Sequence, residues 1–588
     1  MTTKGKARFR NGRPAHWWHD AVCYEIYVQS FNDSNGDGIG DLNGVREKLP
    51  YLKELGVECI WLSPIMESPF NDCGYDVSDY ERINPDFGTM EDYESLLAEA
   101  HELGIKVIID MVIGYTSSEH SWFQEAARSK DAPTRDYYVW GVGEDGGPPN
   151  NWFTSAAAES CWTYSEPTGE YYYHAFLDSQ PNLNWQCEAM RQEVYKSIRF
   201  WLDKGTDGFR MDAINYLIAD PERRNNPREK FEQVHICDRD HKNIHQVLRD
   251  IRAVTDEYED VMMVGEVFPG HTMEGKDFYG IHDELHLCFN FSMSTMPGNT
   301  RWYDGEFVGE SLDAGEGAHS GFTPRNLRRF LKEYDLVYSA LDIWPTVVFG
   351  NHDQPRVGTV YPEAMGEGYR DRILKLIAGI NCTFKGTPFL YNGEELGMTN
   401  MTFTDIRQQK DLFGVAFYKY AIRELGVSEQ KALELTQSCS RDKCRTPMQW
   451  SSQENAGFST NAQTWLPVNP NHVQINAERL MQDEDSLWHF YRKLIRLRRD
   501  HETLKYGDYL WIDEGSESFV GFIRQGDEDI LLLYNLTDKP VDVSLSFEHH
   551  GISPVSGAVL LSNARESGGS VKDRLTLHPF EFIAVNRV

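Results

Sequence analysis

The sequence predicts an α/β protein: a (β/α)8 TIM barrel with a loop-rich subdomain inserted after strand three and a C-terminal antiparallel β domain. Three observations predict it. Short β-branched or aromatic runs alternate with longer amphipathic segments along most of the chain. The stretch after the third run loses that alternation. The C-terminal segments switch to period-two patterning between Gly and Asp turns.

Strands are expected at 23–31, 59–65, 106–112, 208–214, 261–267, 287–291, 345–350 and 387–391, with helical patterns at 44–55, 90–103, 190–204 and 244–257. Eight such units favour a parallel sheet closed on itself over an open doubly wound sheet. No Gly-x-Gly-x-x-Gly follows an early strand, so no dinucleotide site and no organic cofactor are expected. Residues 113–185 are rich in Gly, Pro, Trp, Tyr and Ser and read as an insertion on the C-terminal face of the barrel. Segments 509–513, 519–524, 530–535, 541–547 and 580–585 read as strands of the terminal domain. The expected division is therefore 1–112 with 186–504 for the barrel, 113–185 for the insertion and 505–588 for the β domain.

Composition narrows the function. Of 588 residues, 40% are hydrophobic, enough for a sizeable core. With 58 Lys+Arg against 91 Asp+Glu, the net charge of −33 repels phosphodiester backbones and anionic membranes, so neither nucleic acid nor membrane is an expected partner. No apolar run approaches the roughly 18 residues of a membrane span. The basic N-terminus lacks the hydrophobic stretch of a secretory signal. Ten scattered cysteines with no C-x-x-C pair read as buried free thiols in a reducing compartment. The expectation is a cytoplasmic monomer or homodimer.

In a barrel, polar groups just beyond the C-terminal ends of the strands converge. Strand four carries Arg210 and Asp212, two apart and on one side. Strand five ends in Glu266, and strand seven runs into Asn351-His352-Asp353. A single acid at a strand end is usually a cap or a solvated turn. Three from different strands, with Arg210 and His352, are hard to explain as structure, because like charges in one cavity destabilise it. Acetal hydrolysis needs such a set: one carboxylate attacks the anomeric carbon while a protonated one gives its proton to the leaving oxygen.

At these residues the chain resembles the α-amylase family, glycoside hydrolase family 13. Gly208-Phe209-Arg210-Met211-Asp212, Gly265-Glu266-Val267 and Asn351-His352-Asp353 look like three of its signature regions. Within the family the chain is similar to the oligo-1,6-glucosidase/α-glucosidase group, through Gly74-Tyr75-Asp76-Val77-Ser78-Asp79-Tyr80, Gln180-Pro181 and Arg445-Thr446-Pro447-Met448-Gln449-Trp450. The resemblance implies Asp212 as nucleophile, Glu266 as general acid/base and Asp353 as a grip on sugar hydroxyls. Arg210 would orient Asp212, His352 would bond the sugar and Tyr75 would stack beneath it. Phe176 and Gln180 would line the same pocket. Asp76 and Arg445 would pair across its floor and bind the terminal 4-OH, making a small oligosaccharide or glucoside the substrate of an exo-acting enzyme. Retention of configuration goes with working carboxyls roughly 5–5.5 Å apart.

After strand one, Asp33-Ser-Asn35-Gly-Asp37-Gly-Ile39-Gly-Asp41 alternates oxygen ligands with small turn residues, like an EF-hand loop without its final Glu or flanking helices. The resembling α-glucosidases carry a structural Ca2+ (or Mg2+) in a matching loop. Here Asp33, Asn35, Asp37, the Ile39 carbonyl and Asp41 would hold it.

Three departures bear on specificity. The family's Asp-x-x-x-Asn-His region is here Asp110-Met-Val-Ile-Gly114-Tyr115, so Tyr115 replaces a His that touches the sugar's 6-OH. Gln-Pro-Asp-Leu-Asn has become Gln180-Pro181-Asn182-Leu183-Asn184, and Ala156-Ala157-Ala158 stands where relatives place an aromatic. Glucose is the expected sugar, with a C6-modified glucoside as the alternative. Ala213 beside the nucleophile, where Val accompanies α-1,6 specificity in the group, points to α-1,4 or broad linkage. The rival activities are a sucrose isomerase or trehalose synthase-type transglucosidase, and a non-catalytic relative of the transporter heavy-chain kind. The intact acids argue against the latter.

Overall fold

The computed structural model describes residues 16–154, 159–229, 232–267, 274–296, 321–513, 515–545 and 556–587. Eight parallel strands form the central sheet: β1 (Cys23–Ile26), β2 (Cys59–Leu62), β3 (Lys106–Met111), β4 (Gly208–Met211), β5 (Met262–Gly265), β6 (Leu287–Cys288), β7 (Thr346–Val348) and β8 (Thr387–Tyr391). Their order is β6-β5-β4-β3-β2-β1-β8-β7. Among the described residues, backbone ladders join seven of the eight seams. At the eighth, between β6 and β7, the Thr346 Oγ1 hydroxyl donates to the Cys288 carbonyl at 2.8 Å.

Alternation splits the strand residues into two packed sets. Cys23, Cys59, Trp61, Ile108, Met262, Val264, Leu287 and Phe389 form one cluster. Tyr24, Ile26, Ile60, Leu62, Val107, Phe209 and Met263 belong to the larger core that includes the surrounding helices. Burial of both strand faces explains the near-continuous apolar runs of the sequence. Helix Met90–Glu102 starts at a capping box, Thr89 with Asp92. Helix Glu188–Asp203 buries Val194, Ile198 and Trp201.

Two expectations need correction. The helix expected at 44–55 is two helices, Leu42–Glu47 and Leu49–Leu55, because Pro50 lacks the N–H that would continue the first and sits in the first turn of the second. Most strands also stop short of their expected C-terminal ends. After β4 the chain turns at Ala213 into the left-handed region (φ 41°), and Asp212 leaves the ladder.

The inserted segment carries helix Ser121–Ala126 and a three-stranded antiparallel sheet of Trp140–Gly141, Glu170–Tyr173 and Trp162–Ser165. From Asp508 the chain forms an eight-stranded antiparallel sheet. Three of its strands escaped the sequence reading: Ser556–Ser562, Ser570–Lys572 and Arg574–Leu577. In the last two, exposed Ser570, Lys572 and Arg574 hide the alternation. Residues 546 and 547 of the expected 541–547 strand lie outside the described residues. The buried Arg524 ties this sheet to the barrel through the carbonyls of Thr383 and Leu504. All ten cysteines are free thiols. Among the described residues no helix is long and apolar enough to cross a membrane.

Candidate active site

The ends of β3, β4, β5 and β7 bring Asp110, Arg210, Asp212, Glu266, His352 and Asp353 together. Backbone bonds just past the ladders fix the working acids: Asp212 N–H to the Met111 carbonyl (3.3 Å), Glu266 N–H to Met211 (2.9 Å) and Ile214 N–H to Glu266 (3.1 Å). The acids therefore stand on barrel backbone rather than on mobile loops.

Arg210 is the hub. Its Nη1 donates to Asp110 Oδ1 (2.8 Å) and Asp212 Oδ1 (2.5 Å), and its Nη2 to Glu266 Oε2 (2.6 Å). The guanidinium lies over Trp61 and Tyr75, 5.2 and 5.5 Å from their ring centres. The remaining oxygen of Asp212, Oδ2, accepts from the Tyr115 hydroxyl at 2.6 Å. Glu266 also accepts from the Ala213 amide at 3.3 Å.

Burial pushes Glu266 up to about 8, against the pull of Arg210 and with the help of the neighbouring Asp212, Asp353 and Asp110 charges. Asp110 is raised to about 7 by burial against the same arginine. Glu266 is thus a carboxylic acid near neutrality, suited to donate a proton.

His352 is wholly buried between two partners, Glu25 Oε1 at 2.5 Å from Nδ1 and the Tyr75 hydroxyl at 2.7 Å from Nε2. Its ring stacks on Tyr75, with centroids 5.3 Å apart and planes 8° from parallel. Burial lowers the His352 pKa and raises that of Glu25, against the pull of the Asp353 charge on the imidazole and of Arg210 on the carboxyl. Burial works against ionisation of Asp353 too. His352 and the guanidiniums of Arg441, Arg445 and Arg210 outweigh it and hold Asp353 well below the usual carboxylate range.

The pair expected between Asp76 and Arg445 does not form. Asp76 folds back on its own loop, accepting from Ser68 Oγ (2.9 Å) and the amides of Asn71 (2.9 Å) and Asp72 (3.0 Å). Arg445 lies fully buried beneath the site, bonding the His352 carbonyl and Asp353. The pair at this position is Asp72 with Arg441, at 2.7 Å. Gln180 Nε2 reaches Asp72 Oδ2 at 3.0 Å, and Arg441 also holds Asp411 at 2.8 Å. Each residue of the observed pair stands four positions before the one chosen, just upstream of the motif that carries it. Charge and spacing could not separate the two acids or the two arginines. Glu25, Trp61 and the role of Asp110 were missed as well; an acid inside the apolar β1 run was the available signal for Glu25.

Phe176 meets Tyr115 edge-on at 5.3 Å and Tyr216 at 5.1 Å, so it belongs to the Tyr115 wall. Ala156, Ala157 and Ala158 lie outside the described residues.

In the loop after β1, Asp33 Oδ1 accepts from the Asn35 and Gly36 amides and Oδ2 from Gly38 and Ser459. Asn35 accepts from Asp37 N–H and Asp37 from Ile39 N–H. Asp41 caps helix Leu42–Glu47 through the Gly44 amide and also accepts from Ser34. Among the described residues no three His, Cys, Asp or Glu side chains are arranged to hold a metal. The donor chemistry of the loop still fits a hard cation: every candidate atom is an oxygen, and the Asn35 amide and Ile39 carbonyl complete the set.

The α-amylase catalytic-domain family model matches residues 25–507. The chain is 39% identical to an oligo-1,6-glucosidase of Bacillus cereus, over 96% of this chain and 98% of the relative. It is 38% identical to a trehalose-6-phosphate hydrolase of Bacillus subtilis (strain 168), over 88% and 89%. A solved isomaltulose synthase mutant from Erwinia rhapontici NX5, in complex with its natural substrate sucrose, superposes with a TM-score of 0.88 at 31% identity, covering 97% of this chain and 99% of that one. With the family's acids gathered around one arginine at the mouth of its barrel, this chain belongs to the α-amylase family and is a glycoside hydrolase.

Proposed function

We propose that the enzyme is a retaining, exo-acting α-glucosidase that hydrolyses short α-glucosides of α-1,4 or broad linkage. The observation that carries this reading is Arg210 clamping Asp212 and Glu266 in one fork, with the Glu266 carboxyl held protonated by burial. Asp212 attacks the anomeric carbon while Glu266 gives its proton to the departing oxygen. Glu266, now a base, takes a proton from water as that water releases the sugar. Asp353, ionised and the most exposed of the three at 24%, grips sugar hydroxyls. The Asp72–Arg441 pair, braced by Gln180 and Asp411, supports a closed floor that reads a terminal sugar and imposes exo action. Ala213 supports the broader linkage, its small side chain leaving room beside the nucleophile. Transfer to sugar acceptors accompanies hydrolysis.

Incubation with maltose, isomaltose and sucrose, followed by product chromatography, tests the reading. Release of glucose from the first two agrees with it. Rearrangement of sucrose to an isomer without net hydrolysis would instead favour a transglucosidase, a reading supported by the structural likeness to the isomaltulose synthase. Turnover confined to 6-substituted glucosides would favour a C6-modified substrate, the reading supported by Tyr115 and by the relative named trehalose-6-phosphate hydrolase.

We also infer a structural Ca2+ (or Mg2+) held by Asp33, Asn35, Asp37, the Ile39 carbonyl and Asp41. No step of the reaction passes through it.

A further inference from the structure

We propose that the Tyr115 hydroxyl is a catalytic group of the second half-reaction, meeting the Asp212 oxygen as the sugar leaves it. The proposal rests on the double-displacement reading above. Among the described residues one side-chain donor meets each oxygen of Asp212: Arg210 at 2.5 Å on Oδ1, the Tyr115 hydroxyl at 2.6 Å on Oδ2. Arg210 is held by Asp110 and Glu266 as well, so Oδ1 is the fixed oxygen and Oδ2 is the one free to react.

The phenol is placed for that role. Tyr115 is 3% exposed, its ring rests edge-on against Phe176, and its backbone bridges to Asn182. Burial, with Asp212 beside it, keeps the hydroxyl protonated, so it acts as a donor.

In the first step the C1–Oδ2 bond forms, the bond from C1 to the leaving oxygen breaks, and the Glu266 proton passes to that oxygen. The bridging ester oxygen is a weaker acceptor than a carboxylate oxygen, so the phenol bond is weakest in the glycosyl-enzyme. In the second step water bonds to C1 and gives a proton to Glu266. The C1–Oδ2 bond breaks, and its electron pair returns to Oδ2. An interaction that strengthens towards this transition state accelerates the step. The same bond stabilises the free carboxylate and restrains the first attack.

The test is Tyr115→Phe, which retains the ring, assayed with p-nitrophenyl α-glucoside. We expect kcat to fall roughly 10- to 100-fold, the scale of a charge-assisted hydrogen bond. KM falls with it while kcat/KM is retained or raised, because the first attack is no longer restrained and the covalent intermediate accumulates. A burst of p-nitrophenol matching the enzyme concentration appears, with one hexosyl unit on the Asp212 peptide. A fall in kcat/KM with unchanged or raised KM and no burst overturns the assignment. Should Tyr115→Phe fail to fold, a fluorinated tyrosine at 115 (a stronger donor of nearly the same shape) raises kcat for this substrate if the proposal holds and leaves it unchanged or lowered if it does not. The two readings fail differently: an Asp212→Ala variant as active as wild type sinks double displacement, whereas wild-type turnover through Asp212 without accumulation in Tyr115→Phe sinks only the Tyr115 role.

Discussion

Arg441 donates to Asp72 at 2.7 Å, joining the loop after β2 to the short helical turn Arg441–Lys443 far along the chain. The pair is largely buried, so truncating either partner leaves an uncompensated charge. Asp72→Ala and Arg441→Ala are each expected to lower kcat/KM on maltose by at least about a hundredfold and to destabilise the fold by about 3–5 kcal/mol. Asp76→Asn keeps the pair and only loosens its loop, so its kcat/KM stays much closer to wild type. Steady-state kinetics and thermal melts of the three variants measure this, and equal losses in all three would restore Asp76 to the site.

Asp212→Ala is expected to lower kcat by about four orders of magnitude or more, as removal of a covalent nucleophile does. The melting temperature changes little by comparison. Activity assays and calorimetry on one preparation compare the two effects.

Glu266 must be protonated to act as acid, and its pKa is pushed up to about 8. The acid form therefore persists through neutrality, and kcat/KM is expected to fall as the pH rises through about 8. The limb belongs to the coupled cluster of Glu266 with Asp110 rather than to one residue. Glu266→Gln removes the limb and lowers kcat/KM by about 10²–10⁴-fold, least for aryl glucosides whose leaving group needs no proton. A pH–rate profile without an alkaline limb in the wild type contradicts the assignment.

Calcium at the 33–41 loop is expected to raise the melting temperature of EDTA-stripped protein by a few degrees, since ligand at about a hundred times its Kd adds about 2.7 kcal/mol. Asp33→Ala abolishes the rise. Turnover at low temperature is the same with and without the cation. Differential scanning calorimetry reads the first two effects, and a flat response argues for a loop closed by its own hydrogen bonds.

Much of this was legible in the sequence, for a physical reason. Barrel strands are buried on both faces and announce themselves as apolar runs, and acids such as Asp212 and Glu266 at their ends interrupt those runs visibly. The Asp72–Arg441 pair was not legible, because Asp76 and Arg445 carry the same charges four residues further along the chain. Which acid turns towards the pocket depends on backbone amides at Asn71 and Asp72 that the sequence does not display. The Ser570–Lys572 and Arg574–Leu577 strands were hidden likewise, each alternating against mostly charged and polar residues. The contact between Tyr115 and Asp212 was out of reach because it joins residues 97 positions apart.

Among the described residues the seam between β6 and β7 has no backbone ladder and is crossed by the Thr346 hydroxyl, where its neighbours have ladders. Heat is expected to part the staves there first, with the amides flanking Cys288 and Thr346 exchanging deuterium before those of β1 and β2. Asp353 follows the looser stave and Glu266 precedes it, so a small parting would pull the tools of the reaction away from each other. The enzyme would then fall silent at temperatures where circular dichroism still reports an intact chain.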